Sequence, residues 1–128
     1  MQDGIPDPVR RAVMVTISPL LADVIRRVVA GHVAIEIVAE IRQRSRLEAR
    51  LRTLRPELVL MGLHRGEDDK IARVILAALP KARIIAFSSD VRVAYVHEAR
   101  PHRTELRDFS TEALFAILSL PSWLADLS

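Results

Sequence analysis

The chain has 128 residues, of which 50% are hydrophobic and 27% are charged. This length fits one compact domain, and the apolar content excludes global disorder. The absence of cysteine excludes disulfide scaffolds, iron–sulfur clusters and thiol nucleophiles. The net charge of +3 is too small to indicate nucleic-acid binding by itself. No run of residues has the apolar length of a signal-peptide core or a membrane span, so we expect a cytoplasmic protein without a membrane partner.

The first half of the chain predicts two strand–helix units. Residues 12–17, AVMVTI, are a β-branched run that favours a buried strand. Ser18 and Pro19 then provide the N-cap and the first residue of a helix. Residues 33–39 predict a second strand, and residues 45–54 predict a second helix with a stripe of leucines. Each strand is therefore followed directly by a helix.

The second half repeats this order three times. Its strands are predicted at residues 58–61, 82–88 and 104–106. Its helices are predicted to begin at Asp68 or Asp69, at Asp90, from which the helix runs through Ala99, and at Ser110. Five strand–helix units with nearly continuous apolar strands predict an α/β fold, a single (βα)5 doubly wound parallel sheet.

Functional residues of such sheets lie at the carboxyl ends of the strands. In this sequence those positions hold Thr16 to Ser18 after the first strand, Gly62 to His64 after the third, Ser88 and Ser89 after the fourth, and Arg107 after the fifth. We therefore search these residues for a functional site.

Five sequence blocks occur in a recognisable order: AVMVTISPLLADVIRRVVAG, IEIVAEI, LRPELVLMGL, LPKARIIAFSS and LRDFSTEALFAIL. Their order and spacing resemble a bacterial response-regulator receiver domain. The resemblance implies a flavodoxin-like sheet with strand order 2-1-3-4-5 over residues 11–120, between an N-terminal extension at 1–10 and a C-terminal tail at 121–128. It also implies a role in two-component signalling, phosphorelay or transcriptional control.

The resembled family transfers a phosphoryl group to an aspartate at the end of the third strand and holds magnesium with acidic residues after the first. The resemblance places Gly62 at the acceptor position and Thr16 and Ile17 at the metal-binding positions, so all three carboxylates are missing. Magnesium normally needs one or two carboxylates besides its waters. Because glycine also offers no nucleophile, we expect a pseudo-receiver that is not phosphorylated and has no metal or cofactor.

Two switch positions of the family are still polar. The resemblance places Ser88 at the signalling hydroxyl and Arg107 at the lysine that contacts the phosphoryl group. With the open backbone at Gly62, these side chains are candidates for a vestigial anion pocket. The alternatives are a local hydrogen bond from Ser88 to the backbone and a solvated or ion-paired Arg107 near Asp108.

Enzymatic motifs are missing from the sequence. The turn after the first strand, TISPLL, contains no glycine, which excludes a dinucleotide fingerprint and a P-loop there. The histidines lack metal-ligand spacing and are expected in surface loops or helices: His32, His64, His97 and His102. Asp68 and Asp69 are expected to cap a helix rather than to bind metal. We therefore expect a protein that is not an enzyme.

Two binding functions follow from these observations. The first is a protein-interaction module in bacterial signalling. The second uses the arginine-rich stretch at residues 41–55 to bind nucleic acid or an acidic partner, although its arginines flank the leucine stripe on both sides and form no single basic face. We regard nucleic acid as the less favoured partner.

A homodimer is expected through the fourth helix, the fifth strand and the fifth helix, the surface on which the resembled family commonly pairs. The interface residues would be Tyr95, Phe115, Leu120 and Trp123. The stretch ALFAILSL followed by Trp123 contains more apolar side chains than one core needs, which typically marks an interface. The alternative is that the tail folds back over its own domain.

Overall fold

The structure is a computed structural model that describes residues 9–31, 34–98, 102–108 and 110–119. The described residues form, in chain order, β1 (Arg10–Val15), α1 (Pro19–Ala30), β2 (Ile35–Ile41), α2 (Leu47–Leu54), β3 (Leu58–Gly62), α3 (Lys70–Ala78), β4 (Arg83–Phe87), β5 (Val93–Glu98), β6 (His102–Arg107) and α4 (Thr111–Ser119). Within these ranges, no helix is long and apolar enough to cross a membrane. Most of the predicted N-terminal extension and all of the predicted C-terminal tail lie outside the described residues.

The strands form one sheet with the order β2-β1-β3-β4-β5-β6. The first four strands pair in parallel, whereas β5 is antiparallel to both β4 and β6. The expected flavodoxin-like α/β fold with strand order 2-1-3-4-5 is confirmed, and the sheet carries a sixth strand. Because β6 reverses direction again, it runs the same way as the first four strands.

The predicted fourth helix is wrong. Residues 93–98 form β5, which pairs with β4 directly after a turn in which Ser88 donates its backbone N–H to the carbonyl oxygen of Val93 at 2.8 Å. The segment VAYVHE is rich in β-branched and aromatic residues, which favour a pleated, half-buried strand over a helix. The predicted fifth strand is therefore β6, which lies one position further from β4 than expected.

Two apolar layers cover the two faces of the sheet. On one face, α1 and α4 pack on alternate strand residues through side chains that include Ile25 and Leu114. On the other face, α2 and α3 do so through Leu51 and Ile75. All carboxyl ends of the parallel strands consequently meet at one edge, and the loops that enter the helices lie there.

The first helix begins as the sequence predicts. The Ser18 hydroxyl accepts the N–H of Leu21 at 3.3 Å, Pro19 occupies the first turn and Gly31 is the C-cap residue. This cap fixes the direction of the chain at the point where β1 ends, so the backbone of Thr16 is held close to the end of β3.

Candidate functional site

Gly62 ends β3 in direct contact with the backbone that leaves β1. A Cβ atom built on Gly62 would overlap the carbonyl oxygen of Thr16 and lie 3.2 Å from its carbonyl carbon and 3.4 Å from the Cα of Ile17. These atoms belong to the backbone and cannot rotate away. Gly62, the predicted acceptor position, therefore lacks the space for any side chain, which is a stronger restriction than the loss of one carboxylate.

Thr16 is held in a strained conformation beside this contact. Its φ of 46° is left-handed, which costs a β-branched residue roughly 1–2 kcal/mol. Its backbone N–H donates to the carbonyl oxygen of Ile41 at 2.8 Å, and its hydroxyl donates to the carbonyl oxygen of Gly62 at 2.8 Å. These bonds join the carboxyl ends of three neighbouring strands.

Arg44 places a positive charge at the same point. It lies in the loop between β2 and α2, and only 18% of its side chain is exposed. Its Nη2 donates to the carbonyl oxygen of Gly62 at 2.8 Å and lies 3.4 Å from the hydroxyl oxygen of Thr16. The guanidinium thus bridges the ends of β1 and β3, at the edge where the resembled family holds its metal ion.

Glu67 neutralises this arginine from the loop that follows β3. One carboxylate oxygen pairs with Nη1 of Arg44, and the other accepts the backbone N–H of His64 at 2.9 Å. Burial by itself would raise the pKa of Glu67, but the hydrogen bonds from Arg44 and His64 and the charge of Arg44 outweigh it and lower the pKa below its usual range. Glu67 is therefore ionised at neutral pH.

These donors do not fit a magnesium ion. Ile17 offers a hydrocarbon side chain, the Thr16 hydroxyl already donates to Gly62, and the carboxylate of Glu67 is paired with Arg44. A fixed guanidinium also repels a divalent cation. Among the described residues, no group of three or more histidine and acidic side chains is placed to hold a metal ion.

The hydroxyl of Ser88 closes the turn between β4 and β5. It donates to Oδ1 of Asp90 at 2.7 Å and accepts the backbone N–H of Val93 at 3.0 Å. The hydrogen bond from Ser88 and a second one from the backbone N–H of Arg92 lower the pKa of Asp90. Ser88 therefore makes the local contacts that were the alternative to a switch position.

Arg107 does not reach Gly62. It ends β6, which is separated from β3 by β4 and β5, a distance of about 14 Å at the usual strand spacing. Its side chain is 70% exposed, and its Nε lies 2.6 Å from Oε2 of Glu105. The structure thus does not assemble the anion pocket expected from Gly62, Ser88 and Arg107.

The predicted interface residues are only partly described. Tyr95 lies in β5 and packs against the apolar layer under α2 and α3, so most of its ring is not an open surface. The side chain of Phe115, and Leu120 and Trp123 altogether, lie outside what the structure describes. The fourth helix of the expected dimer surface is replaced by β5.

His97 is buried, which corrects the expectation of a surface histidine. Its side chain is 4% exposed, and its Nε2 lies 2.8 Å from Oδ2 of Asp69. Asp68 rather than Asp69 makes the helix-start contact, because its Oδ1 accepts the backbone N–H of Lys70 at 3.0 Å. The two neighbouring aspartates therefore have different roles, and Asp69 ties the start of α3 to β5.

A cavity of about 610 Å³ opens beside the site, between the start of α1 and the end of β2. Its lining includes Arg26 and Arg42, which lie 2.9 Å and 3.9 Å from the carboxylate of Glu40, together with Asp23 and His64. The basic and acidic groups compensate one another, so the lining has no strong preference for a ligand of either charge.

Arg44 and Glu67 are the site residues that sequence reasoning missed. Arg44 is one of several arginines in a short stretch, and a solvated flank of the second helix explained them all equally well. The signal that distinguishes Arg44 is its position in the loop after β2, because that loop lies at the same edge as Gly62. The signal in the sequence is the combination of two features: Thr16 and Ile17 stand where the resemblance predicts metal-binding carboxylates, and Arg44 lies in a loop at the same edge of the sheet.

Comparison with known proteins supports the fold. No family model matches the sequence, and no curated protein matches it either. Among solved structures, the isolated REC domain of RcsB from Salmonella enterica serovar Typhimurium, determined with the phosphomimetic BeF3−, is 16% identical with a TM-score of 0.54 over 62% of each chain. The chain has a receiver-like fold. A double mutant of the anti-anti-sigma factor PhyR from Bartonella quintana is 17% identical with a TM-score of 0.51 over 62% of this chain and 34% of that one.

The first of these structures is a REC domain, and the second is an anti-anti-sigma factor. This chain spans less than two thirds of either one, and the identities show the fold alone. The resemblance seen in the sequence is confirmed at that level. What the receiver-like fold does in this chain depends on the residues at its carboxyl edge.

Proposed function

We propose that this chain is a pseudo-receiver, a receiver-like module that binds another protein in signalling or transcriptional control without being phosphorylated. The observation that carries the proposal is the filled carboxyl edge. Gly62 has no room for an acceptor side chain, and the guanidinium of Arg44 lies against the Gly62 carbonyl. The site is thus occupied by the chain itself.

Phosphoryl transfer depends on positioning a nucleophile and on neutralising charge with metal ions. Here the nucleophile is missing at Gly62, and the positive charge is a side chain that is already paired with Glu67. Because the Arg44–Glu67 ion pair is part of the chain, we expect it to be unchanged when a phosphodonor is added. We therefore expect the carboxyl edge of the sheet to keep one conformation under conditions in which a receiver with an acceptor aspartate is phosphorylated.

A switch needs an element with two arrangements that the signal favours unequally. The hydroxyl of Ser88 is bonded within the turn before β5, and β5 replaces the predicted fourth helix. The arrangement supports a constant binding surface rather than a switched one. The regulatory names of both similar structures agree with a protein partner. The proposed module acts in the cytoplasm and without catalysis.

Titration with BeF3− and magnesium, followed by 15N–1H NMR of the intact chain, tests this function. We expect unchanged resonances for Thr16, Gly62 and Ser88. The Gly62→Asp variant, with its fold verified by circular dichroism, should not respond either, because its neighbours still cannot hold the metal. Magnesium-dependent shifts at these residues in the wild-type chain would contradict the proposal.

Partner binding provides the second arm of the test. A protein captured from native cell extract should bind the purified chain with equal affinity in the presence and absence of BeF3− and magnesium. A partner that binds only in their presence would contradict phosphorylation-independent action. The homodimer expected from Phe115 and Trp123 is a further proposal, and light scattering of the intact chain with Phe115→Glu as the comparison decides it.

A further inference from the structure

The helical face formed by α2 and α3 carries most of the positive charge of the chain. Residues 42–81 contain ten arginine and lysine side chains and five acidic ones, a net charge of +5. The whole chain has +3, so the remaining residues are net negative at −2. The exposed cations of α2 and α3 lie on the side of the sheet that these helices cover, and the remaining cations of this segment lie in the loops that adjoin them.

The acidic groups of this face are already engaged. Their partners are Arg52 for Glu48 at 2.9 Å, Arg44 for Glu67, the backbone N–H of Lys70 for Asp68, His97 for Asp69 and the backbone N–H of Arg11 for Glu57. Six exposed cations on α2, on α3 or in the loops that adjoin them form no ion pair with any described residue: Arg46, Arg50, Arg55, Arg65, Arg73 and Lys81. The face therefore has unbalanced positive charge that an incoming partner can neutralise.

Two further features belong to this face. Val74 on α3 is 55% exposed, next to Arg73 in the sequence. Arg46 and Arg55, at the two ends of α2, have left-handed φ angles of 55° and 48°, which are strained for residues with a Cβ atom. Strained residues of this kind cluster at functional sites.

We propose that the α2–α3 face binds an acidic segment of a partner protein, one that presents an apolar side chain to Val74 among its carboxylates. This inference rests on the proposed function, since it names the class of protein that the module binds. Charge complementarity supplies the attraction, and Val74 supplies a small apolar centre of the kind that protein interfaces enclose within a polar rim.

An acidic protein fits this face better than nucleic acid does. Residues 42–81 contain no phenylalanine, tyrosine or tryptophan on which single-stranded bases could stack. The net negative remainder of the chain disfavours a long polyanion that extends past the face. A short acidic segment avoids that repulsion, because its charges end within the basic area.

The test compares two peptides and one duplex as probes of the intact 15N-labelled chain. The peptides are a short poly-L-glutamate and a glutamate peptide of the same length that contains one central leucine, and the duplex is DNA of equal total charge. We expect both peptides to shift resonances of α2 and α3, with tighter binding of the leucine-containing peptide. Replacing Val74 by serine should remove that difference and leave poly-L-glutamate binding unchanged.

Charge reversal provides the matched control. Arg50→Glu with Arg73→Glu should weaken peptide binding about tenfold or more, as expected for two exposed ion pairs that become repulsive. Arg27→Glu with Arg92→Glu changes the net charge equally but alters exposed cations off this face, and it should weaken binding less than about threefold. Circular dichroism verifies that both variants are folded.

Equal weakening by the two double variants would overturn the proposal, since binding would then follow net charge alone. Tighter binding of the duplex than of either peptide at the same salt concentration would also overturn it and assign the face to nucleic acid. The probes contain no phosphodonor or magnesium. Failure here is therefore distinguishable from failure of the proposed phosphorylation-independent function.

Discussion

The replacement of Gly62 by alanine measures how firmly the backbone closes the acceptor position. The added Cβ overlaps the carbonyl oxygen of Thr16 and lies 3.2 Å from the carbonyl carbon. Inserting a methyl group into a well-packed site typically costs about 1–3 kcal/mol. Because the overlapping atoms are backbone and Thr16 is fixed by two hydrogen bonds, we expect a loss of about 2–3 kcal/mol in the free energy of unfolding. For a domain of this size that corresponds to a fall in Tm of roughly 10 °C.

Two other glycines provide matched controls for this measurement. A Cβ on Gly31 would meet only the carbonyl oxygen of Val28 at 3.7 Å, so Gly31→Ala should change the free energy of unfolding by less than about 0.5 kcal/mol. Gly66 has open space around it but a φ of +80°, so Gly66→Ala should cost about 1–2 kcal/mol through backbone strain. Urea unfolding at equilibrium gives all three values. A Gly62→Ala variant as stable as Gly31→Ala would refute the close approach of β1 to β3.

Two further predictions concern titratable groups. The lowered pKa of Glu67 means that its contribution to stability is fully present above its ordinary pKa near 4.5 and is lost as the pH falls through the folded-state value. Urea unfolding between neutral and acid pH should therefore show a loss of stability in the wild-type chain that Glu67→Gln partly lacks, and parallel curves would contradict the pair with Arg44. Removing the Ser88 hydroxyl, in Ser88→Ala, should raise the pKa of Asp90 towards its ordinary value, as an NMR titration of the Asp90 carboxyl would show; an unchanged pKa would contradict the contact.

The sequence alone predicts the strand that ends at Gly62 and the start of the first helix, because each of these features lies within one short segment. Gly62 follows a short, fully apolar strand, and its place in the order of blocks is what predicts that it corresponds to the acceptor position. The cap at Ser18 and Pro19 is equally local, since a serine before a proline indicates the start of a helix by itself. The structure confirms the cap and the strand, and it adds the contact with Thr16 that no single segment contains.

The error at β5 has a different origin. The alternation of strand and helix in the first three units, together with the resemblance, favoured a helix after Asp90, although residues 93–98 have the β-branched and aromatic composition of a strand. Whether such a segment forms a helix that packs on the sheet or a strand within it depends on pairing with β4. That pairing requires the tight turn at Ser88, which the composition of residues 93–98 alone does not indicate.

The role of Arg44 could not be predicted because it depends on three segments at once. The side chain reaches the ends of β1 and β3 and is neutralised by Glu67, which lies 23 residues away in the sequence. The same limitation applies to His97. Its burial follows from the antiparallel placement of β5, and once it is buried its ring requires a partner such as Asp69.

Intact-mass spectrometry of the chain after incubation with acetyl phosphate tests the central claim most directly. The account predicts the same unmodified mass with and without magnesium, because Gly62 offers no acceptor and the charge of Arg44 takes the place of a metal ion. The Gly62→Asp variant should give the same result. A magnesium-dependent phosphoryl adduct on any aspartate of the wild-type chain would contradict the account.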